Sequence, residues 1–228
     1  MPGFSSLIEG LKPSSTVAFN TKAGDMRRNG IDVIAMTAGE PDFQPPEHVL
    51  DAAKEAIAQG ITKYTAPAGS FELREAVAAK FKRENNLDYT PEQVSVSTGG
   101  KQVLYNAYMS VLEPGDEVIV PTPCWVSYEA QIGLAGGRFV PVHAPASDGF
   151  IPDPEAIRAA ITPKTKVITI NSPCNPTGAV YPPEVVKAIA DLAEEHDLWL
   201  FTDDLYEHLI YDGTFTAAAQ FYPERTLI

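Results

Sequence analysis

The chain has 228 residues and a formal net charge of -13. That acidic balance argues against nucleic acid, since a phosphate-binding face needs clustered Lys and Arg, and its plain meaning is solubility. No apolar run reaches spanning length, Met1-Pro2-Gly3-Phe4-Ser5-Ser6 lacks the layout of a signal peptide, and two cysteines (Cys124, Cys174) with no zinc spacing suit a reducing compartment, so a cytoplasmic protein is expected.

Residues 1 to about 30 read as an arm plus a helix. Ser14, Ser15 and Thr16 after Lys12-Pro13 make a start signal, Phe19, Ala23 and Met26 a loose apolar face, and Gly30 a stop. Residues 31–36 predict a short strand, and Thr37-Ala38-Gly39-Glu40-Pro41-Asp42-Phe43 a loop punctuated by Gly and Pro. A helix is expected from Pro46 to before Gly60, with Val49, Ala53, Ala56 and Ile57 as its buried stripe. A second loop carries Tyr64, Pro67 and Gly69, and another helix runs from about Phe71 to Asn85 on Leu73, Val77 and Phe81.

From there strands and helices alternate. Strands are expected at 93–97, 117–120, 138–142, 166–170 and 198–202, with helices after Gly99-Gly100-Lys101, after the Trp125 loop, at 154–161 and at 182–196. This order predicts an α/β fold, a mostly parallel sheet covered by helices on both faces. Ligands of such sheets sit beyond the carboxyl ends of the strands. Gly99-Gly100-Lys101, Trp125, Asn175 and Asp203 each follow a different predicted strand.

Each of these has a chemistry. Two glycines opening a helix let backbone N–H groups meet an anion, although the spacing is not that of a P-loop and a tight turn is the ordinary alternative. Trp125 can stack on a planar ligand or simply pack in the core. Asn171-Ser172-Pro173-Cys174-Asn175-Pro176-Thr177-Gly178 fixes a polar Asn at a strand end, where its amide can donate to a ring hydroxylate or carboxylate. Trp199 to Asp203 is an apolar strand ending in an acid, which is costly if buried unpaired. A protonated ring nitrogen would answer that acid, with the Tyr206 hydroxyl on the ring oxygen. A plain surface acid suits Asp204 better than Asp203.

Together these residues resemble the class I aminotransferases, fold-type I enzymes that use pyridoxal 5'-phosphate, and among them the bacterial aspartate (aspartate/prephenate) aminotransferases. The residues that carry the likeness are Thr37 to Phe43, Lys63-Tyr64, Gly99-Gly100-Lys101, Asn171 to Gly178, and Asp203 with Tyr206. The resemblance implies that Asp203 pairs with the pyridine nitrogen, Asn175 and Tyr206 hold the ring oxygen, Trp125 stacks on the ring, and the backbone at Gly100 and Lys101 meets the phosphate. It implies that Tyr64 reaches the phosphate of a partner subunit's cofactor, hence a homodimer. Gly39, Trp125 and Asn175 would contact the substrate's carboxylate end; Lys101, Ser15 and Thr16 would receive a dicarboxylate side chain; Lys12 matches a position associated with prephenate. The implied reaction passes an amino group from aspartate to 2-oxoglutarate, so the partners are amino-acid and 2-oxo-acid substrates, with no nucleic acid, membrane or metal.

The resemblance also implies a Schiff-base lysine after the next strand, carboxylate- and phosphate-binding arginines, and a C-terminal small domain. None is reached before Ile228, so residues 31–228 are expected to form an incomplete cofactor-binding large domain behind an N-terminal arm and helix (1–30), without turnover alone. A β-lyase on the same fold, a non-catalytic cofactor-binding domain and a cofactor-sensing regulator are the competing readings. The acidic chain, with no DNA-binding module ahead of the arm, speaks against the last.

Overall fold

A computed structural model of the chain describes residues 3–11, 15–37, 39–41 and 43–228, and the side chain of Ser15 is not among the described groups. Lys12 therefore lies outside the described residues. The chain divides into two compact units, Met1–Pro67 and Ala68–Ile228.

The first unit holds helices α1 (Ser6–Glu9), α2 (Ser15–Arg28) and α3 (Glu47–Ala58). Arg27 and Arg28 in the last turn of α2 complement its negative end, and Gly30 at φ 78° follows. The strand expected at 31–36 is not formed. Those residues run as extended chain held by side chains: Arg27 donates to the Val33 carbonyl at 3.3 Å, and Thr37 donates to Asn20. Among the described residues they have no neighbouring strand, so their β-type composition has no ladder to enter. The expected stripe of α3 is exposed too; Ile57 is 69% exposed. Within this unit only Ala23 among the described residues is buried, so the amphipathic pattern has no layer to pack on.

The second unit contains helices α4 (Phe71–Asn85), α5 (Gly100–Val111), α6 (Ser127–Leu134), α7 (Pro154–Ala160) and α8 (Pro183–Glu195). Its strands are β1 (Glu117–Thr122), β2 (Arg138–His143), β3 (Thr165–Asn171), β4 (Trp199–Asp203) and β5 (Thr226–Leu227). They form one parallel sheet in the order β2-β1-β3-β4-β5. The strand expected at 93–97 is a single helical turn, Pro91–Gln93, followed by unpaired extended chain. Among the described residues its only sheet-like tie is the Val96 N–H to the Ala68 carbonyl, 2.9 Å.

Both faces of the sheet are covered, and the period-2 alternation of each strand explains how. Val118, Val120, Val167 and Phe201 face Leu104, Ala107 and Tyr108 of α5 and Tyr128 and Ile132 of α6. Their neighbours Ile119, Ile168, Ile170 and Leu200 face the opposite way, against Ile157 of α7 and Val186, Ile189, Ala190 and Ala193 of α8. A strand apolar on both faces must lie inside, and β1, β3 and β4 are the sheet's interior strands. The caps are ordinary: Ser70 opens α4 by accepting from the Leu73 N–H, Asp153 opens α7 by accepting from the Glu155 N–H, and Asn86 in the left-handed region closes α4.

Ile168 is fully buried at the centre of β3. Ile168→Ala should lower unfolding free energy by about 2–5 kcal/mol, read by urea denaturation, whereas Lys166→Ala, exposed on the same strand, should change it by less than about 0.5 kcal/mol. Equal effects would mean that this two-faced core does not carry the fold.

Candidate active site

All strands of a parallel sheet end on one side, and a cavity of about 530 Å³ opens there. Gly100, Lys101, Trp125, Asn175, Asp203 and Tyr206 all line it. Trp125 comes from the loop after β1, Asn175 from the loop after β3, and Asp203 from the last position of β4. Gly100 and Lys101 open α5, which here follows the unpaired chain at 94–97 rather than a strand.

The ends of β3 and β4 are tied by one side chain. Asn171 and Asp203 are register partners. The Asn171 amide nitrogen donates to the Asp203 carbonyl at 2.6 Å, and its amide oxygen accepts from the Asn175 N–H, also at 2.6 Å. Asn171 is buried, so both of its functional groups are used where unmet ones would be expensive.

The Asp203 carboxylate is half-buried and meets a hydroxyl. Tyr128, on the first turn of α6, donates to its Oδ2 at 2.7 Å. Burial, then the charge of Asp203, raises the Tyr128 phenol far above its usual range, so the proton stays on the tyrosine and the direction of this bond is fixed. The Tyr128 ring also meets Trp125 edge to face, with centroids 5.4 Å apart. One residue thus braces two of the cavity's walls.

The opening of α5 is arranged for an anion. Gly99 sits at φ 77°, a region natural only to glycine, and open space lies where a Cβ of Gly99 or Gly100 would be. Among the described residues the N–H groups of Gly100 and Lys101 have no backbone acceptor, and they lie at the positive end of a 12-residue helix. The Lys101 ammonium lies 5.2 Å from the centre of the Trp125 ring, and Gln131 pins the Lys101 carbonyl at 2.6 Å.

Asp204 departs from the surface-acid expectation. Burial, then the charges of Glu207 and Asp203, lifts its carboxyl from 3.8 to about 7. Thr202 offers it only a long hydrogen bond, 3.4 Å. The side chain after the strand end is therefore a strongly desolvated acid.

Tyr64, Gly39, Thr16 and Ser15 belong to the first unit. Tyr64 is fully exposed there and Thr16 half-buried. Sequence reasoning assigned no role to Tyr128, Asn171, Lys80 or Glu207, although the last three also line the cavity. Asn171 stood in a motif already singled out. Tyr128, by contrast, is one helical turn past Trp125, and only the fold shows that its hydroxyl returns to β4.

A parallel sheet with its cavity at the strand ends, a glycine-opened helix and an acid at the end of β4 define an α/β ligand-binding fold. The chain belongs to the aminotransferase class I and II family, whose pattern matches residues 31–227. That family works with pyridoxal phosphate, so the cofactor is implied by membership. The chain is 55% identical over 227 residues to the aspartate/prephenate aminotransferase of Thermus thermophilus, covering 100% of this chain and 59% of that protein. It is 46% identical to the aspartate aminotransferase of Bacillus subtilis over 206 residues, 90% of this chain and 52% of that one. The solved structure of the Thermus thermophilus aspartate aminotransferase with maleate superposes with a TM-score of 0.97 at 55% identity, covering 99% of this chain and 59% of that chain. The Rhizobium meliloti aspartate aminotransferase follows at 0.94 and 43% identity, covering 99% and 58%. The chain thus spans 59% of the length of the Thermus thermophilus relative. No helix among the described residues is long and apolar enough to cross a membrane.

The raised carboxyl of Asp204 carries a pH signature. Below pH 3.8 the acid is protonated whether folded or unfolded and costs nothing. Between 3.8 and about 7 the unfolded chain releases the proton while the folded one keeps it, so stability falls as pH rises. Above 7 the loss is constant. Asp204→Asn should therefore stabilise the chain at pH 8 by up to about 4 kcal/mol and leave it unchanged at pH 3.5, measured by denaturant unfolding across pH. An equal effect at both pH values would contradict the burial of this acid.

Proposed function

We propose that residues 31–228 form the cofactor-binding large domain of a pyridoxal-phosphate-dependent aminotransferase, with residues 1–30 as its N-terminal arm and helix. The observation that carries this is one cavity joining an acid at a strand end to a glycine-opened helix N-terminus. The donor set suits the group: a cavity of about 530 Å³ has room for a substituted pyridine, free amides stand ready for a phosphate, and Asp203 keeps acceptor capacity beyond its bond to Tyr128.

Bound there, the cofactor supplies an electron sink for the α-carbon of an amino acid. Asp203 would accept the hydrogen bond of the ring nitrogen and, through its charge, keep that nitrogen protonated. Tyr128 holds the Asp203 carboxylate in place. Asn175 and Tyr206 would hold the ring oxygen, Trp125 would cover a face of the ring, and the N–H groups of Gly100 and Lys101 would bind the phosphate. By the family resemblance, Gly39, Trp125 and Asn175 would be contacts of the substrate's carboxylate end, and Lys101, Ser15 and Thr16 contacts of a dicarboxylate side chain. Lys12 would extend the range to prephenate, and Tyr64 would serve the partner subunit's cofactor in a homodimer.

The reaction of the whole protein is amino transfer from aspartate to 2-oxoglutarate, giving oxaloacetate and glutamate, in the cytoplasm. Relatives whose names include aspartate and prephenate support this choice, and they favour it over a β-lyase that shares the Asp, Asn and Tyr set. Within the cavity Lys80 is held by Glu207 and Asn85 and Lys101 lies over Trp125. In this reading neither is the imine-forming lysine.

Titration of pyridoxal phosphate into the chain, followed by tryptophan fluorescence, should give saturable submillimolar binding, weakened about tenfold or more by Asp203→Ala. Borohydride treatment and peptide mass spectrometry should find no stoichiometric pyridoxyl group on one lysine. Absence of saturable binding would overturn the cofactor assignment. A single fully labelled lysine would overturn the account of Lys80 and Lys101.

A further inference from the structure

Next to Tyr206 stands a polar cluster that the roles above leave unused. Glu207 is 14% exposed in its side chain. Its two carboxylate oxygens have separate partners on α4: Lys80 donates to Oε1, and the Asn85 amide donates to Oε2 at 2.8 Å. Lys80 also donates to the Asn85 amide oxygen at 2.8 Å, closing a three-membered ring of contacts. Glu84 lies 3.7 Å from the same ammonium, and His208 Nε2 is 3.2 Å from Glu84. Glu84, Glu207 and His208 together have the make-up of a cation site, but the Lys80 ammonium already bridges the two acids, so the cluster is a closed ion pair.

The α4 end of this cluster is itself fixed. Asn86 takes the left-handed conformation at φ 54° and returns its N–H to the Phe81 carbonyl. Gln220 donates to the Asn85 carbonyl at 2.7 Å, and Asn85 is buried. At the other end, Glu207 lies within a tight turn: its N–H returns to the Asp204 carbonyl at 3.0 Å, and the Leu209 N–H to the Tyr206 carbonyl at 2.8 Å. The turn that carries Tyr206 otherwise leaves β4 with exposed Leu205 and Leu209, which supply no packing to hold it.

We propose that Glu207, gripped by Lys80 and Asn85, is a positioning residue for Tyr206, so that the end of α4 sets where the tyrosine stands at the cofactor. This rests on the pyridoxal-phosphate reading of the cavity. Glu207 acts only through its neighbour: it anchors the turn on a side chain more than 120 residues away in sequence, as the pairs Lys80–Glu207 and Asn85–Glu207 show. A merely structural ion pair would contribute to stability and nothing else.

The two roles separate in a double-mutant cycle on pyridoxal phosphate affinity, read by fluorescence quenching in the full 228-residue chain. Glu207→Ala and Tyr206→Phe should each weaken binding about five- to tenfold, and the double variant should be no weaker than the worse single one, because Glu207 has no effect once the hydroxyl is gone. Glu207→Gln, which keeps an acceptor for Asn85 but loses the charge that holds Lys80, should fall between wild type and Glu207→Ala. Should Glu207→Ala fail to fold, Glu207→Gln takes its place in the cycle with the same expectation. Multiplying effects, or a lowered melting temperature at unchanged affinity, would overturn the positioning role and leave the cofactor reading intact. Absence of saturable binding to the wild-type chain would remove both.

Discussion

One buried amide holds the site together. Asn171 ends β3 in register with Asp203 at the end of β4, and its side chain donates to one loop and accepts from the other. Each such bond contributes about 0.5–1.5 kcal/mol net, but leaving a buried group unmet costs about 1–3 kcal/mol. The two loops cannot separate without leaving buried groups unpaired. Asn175 and Asp203, which the proposed function assigns to opposite parts of one ring, thereby inherit a fixed spacing from the parallel register of the sheet.

Around that tie the structure handles three carboxylates in three ways. Asp203 is met by a neutral donor, Tyr128, which leaves its charge available to a ligand. Asp204 is shielded from water and gives up part of its charge instead, its carboxyl rising to about 7. Glu207 is neutralised by a lysine and bonded to an amide from a distant helix. An acidic chain can crowd three acids within five residues only if each is handled separately, because like charges at close range raise one another's pKa. The division leaves Asp203 as the acid whose charge remains for the cavity, opposite the positive end of α5.

Much of this was legible in the sequence. β1 to β4 and their helices follow from apolar runs and glycine and proline punctuation; β1, β3 and β4 are buried on both faces and need no partner information to be recognised, while β2 is a more exposed edge. The segments 31–36 and 93–97 were misread for the complementary reason. Their composition suits a strand, but a strand is made by its neighbour, and among the described residues neither has one. The stripe of α3 is a correct pattern without a surface to bury it. In the site, residues that announce themselves by odd chemistry at a strand end were found. Tyr128 and Glu207 act through contacts 75 and 122 residues away, and no local pattern carries such a distance. Asp204 was misjudged because burial of a side chain beside a strand end depends on the turn that follows.

The proposed chemistry turns on Asp203 keeping its charge for a ring nitrogen. The most direct test is the nitrogen-15 resonance of pyridoxal phosphate labelled in its ring and bound to the chain. The resonance should sit in the pyridinium range and stay there as pH is raised past the point at which the free cofactor loses that proton, and Asp203→Asn should return it to the unprotonated range. A bound cofactor whose ring nitrogen titrates as it does free in solution would contradict the role given to the end of β4.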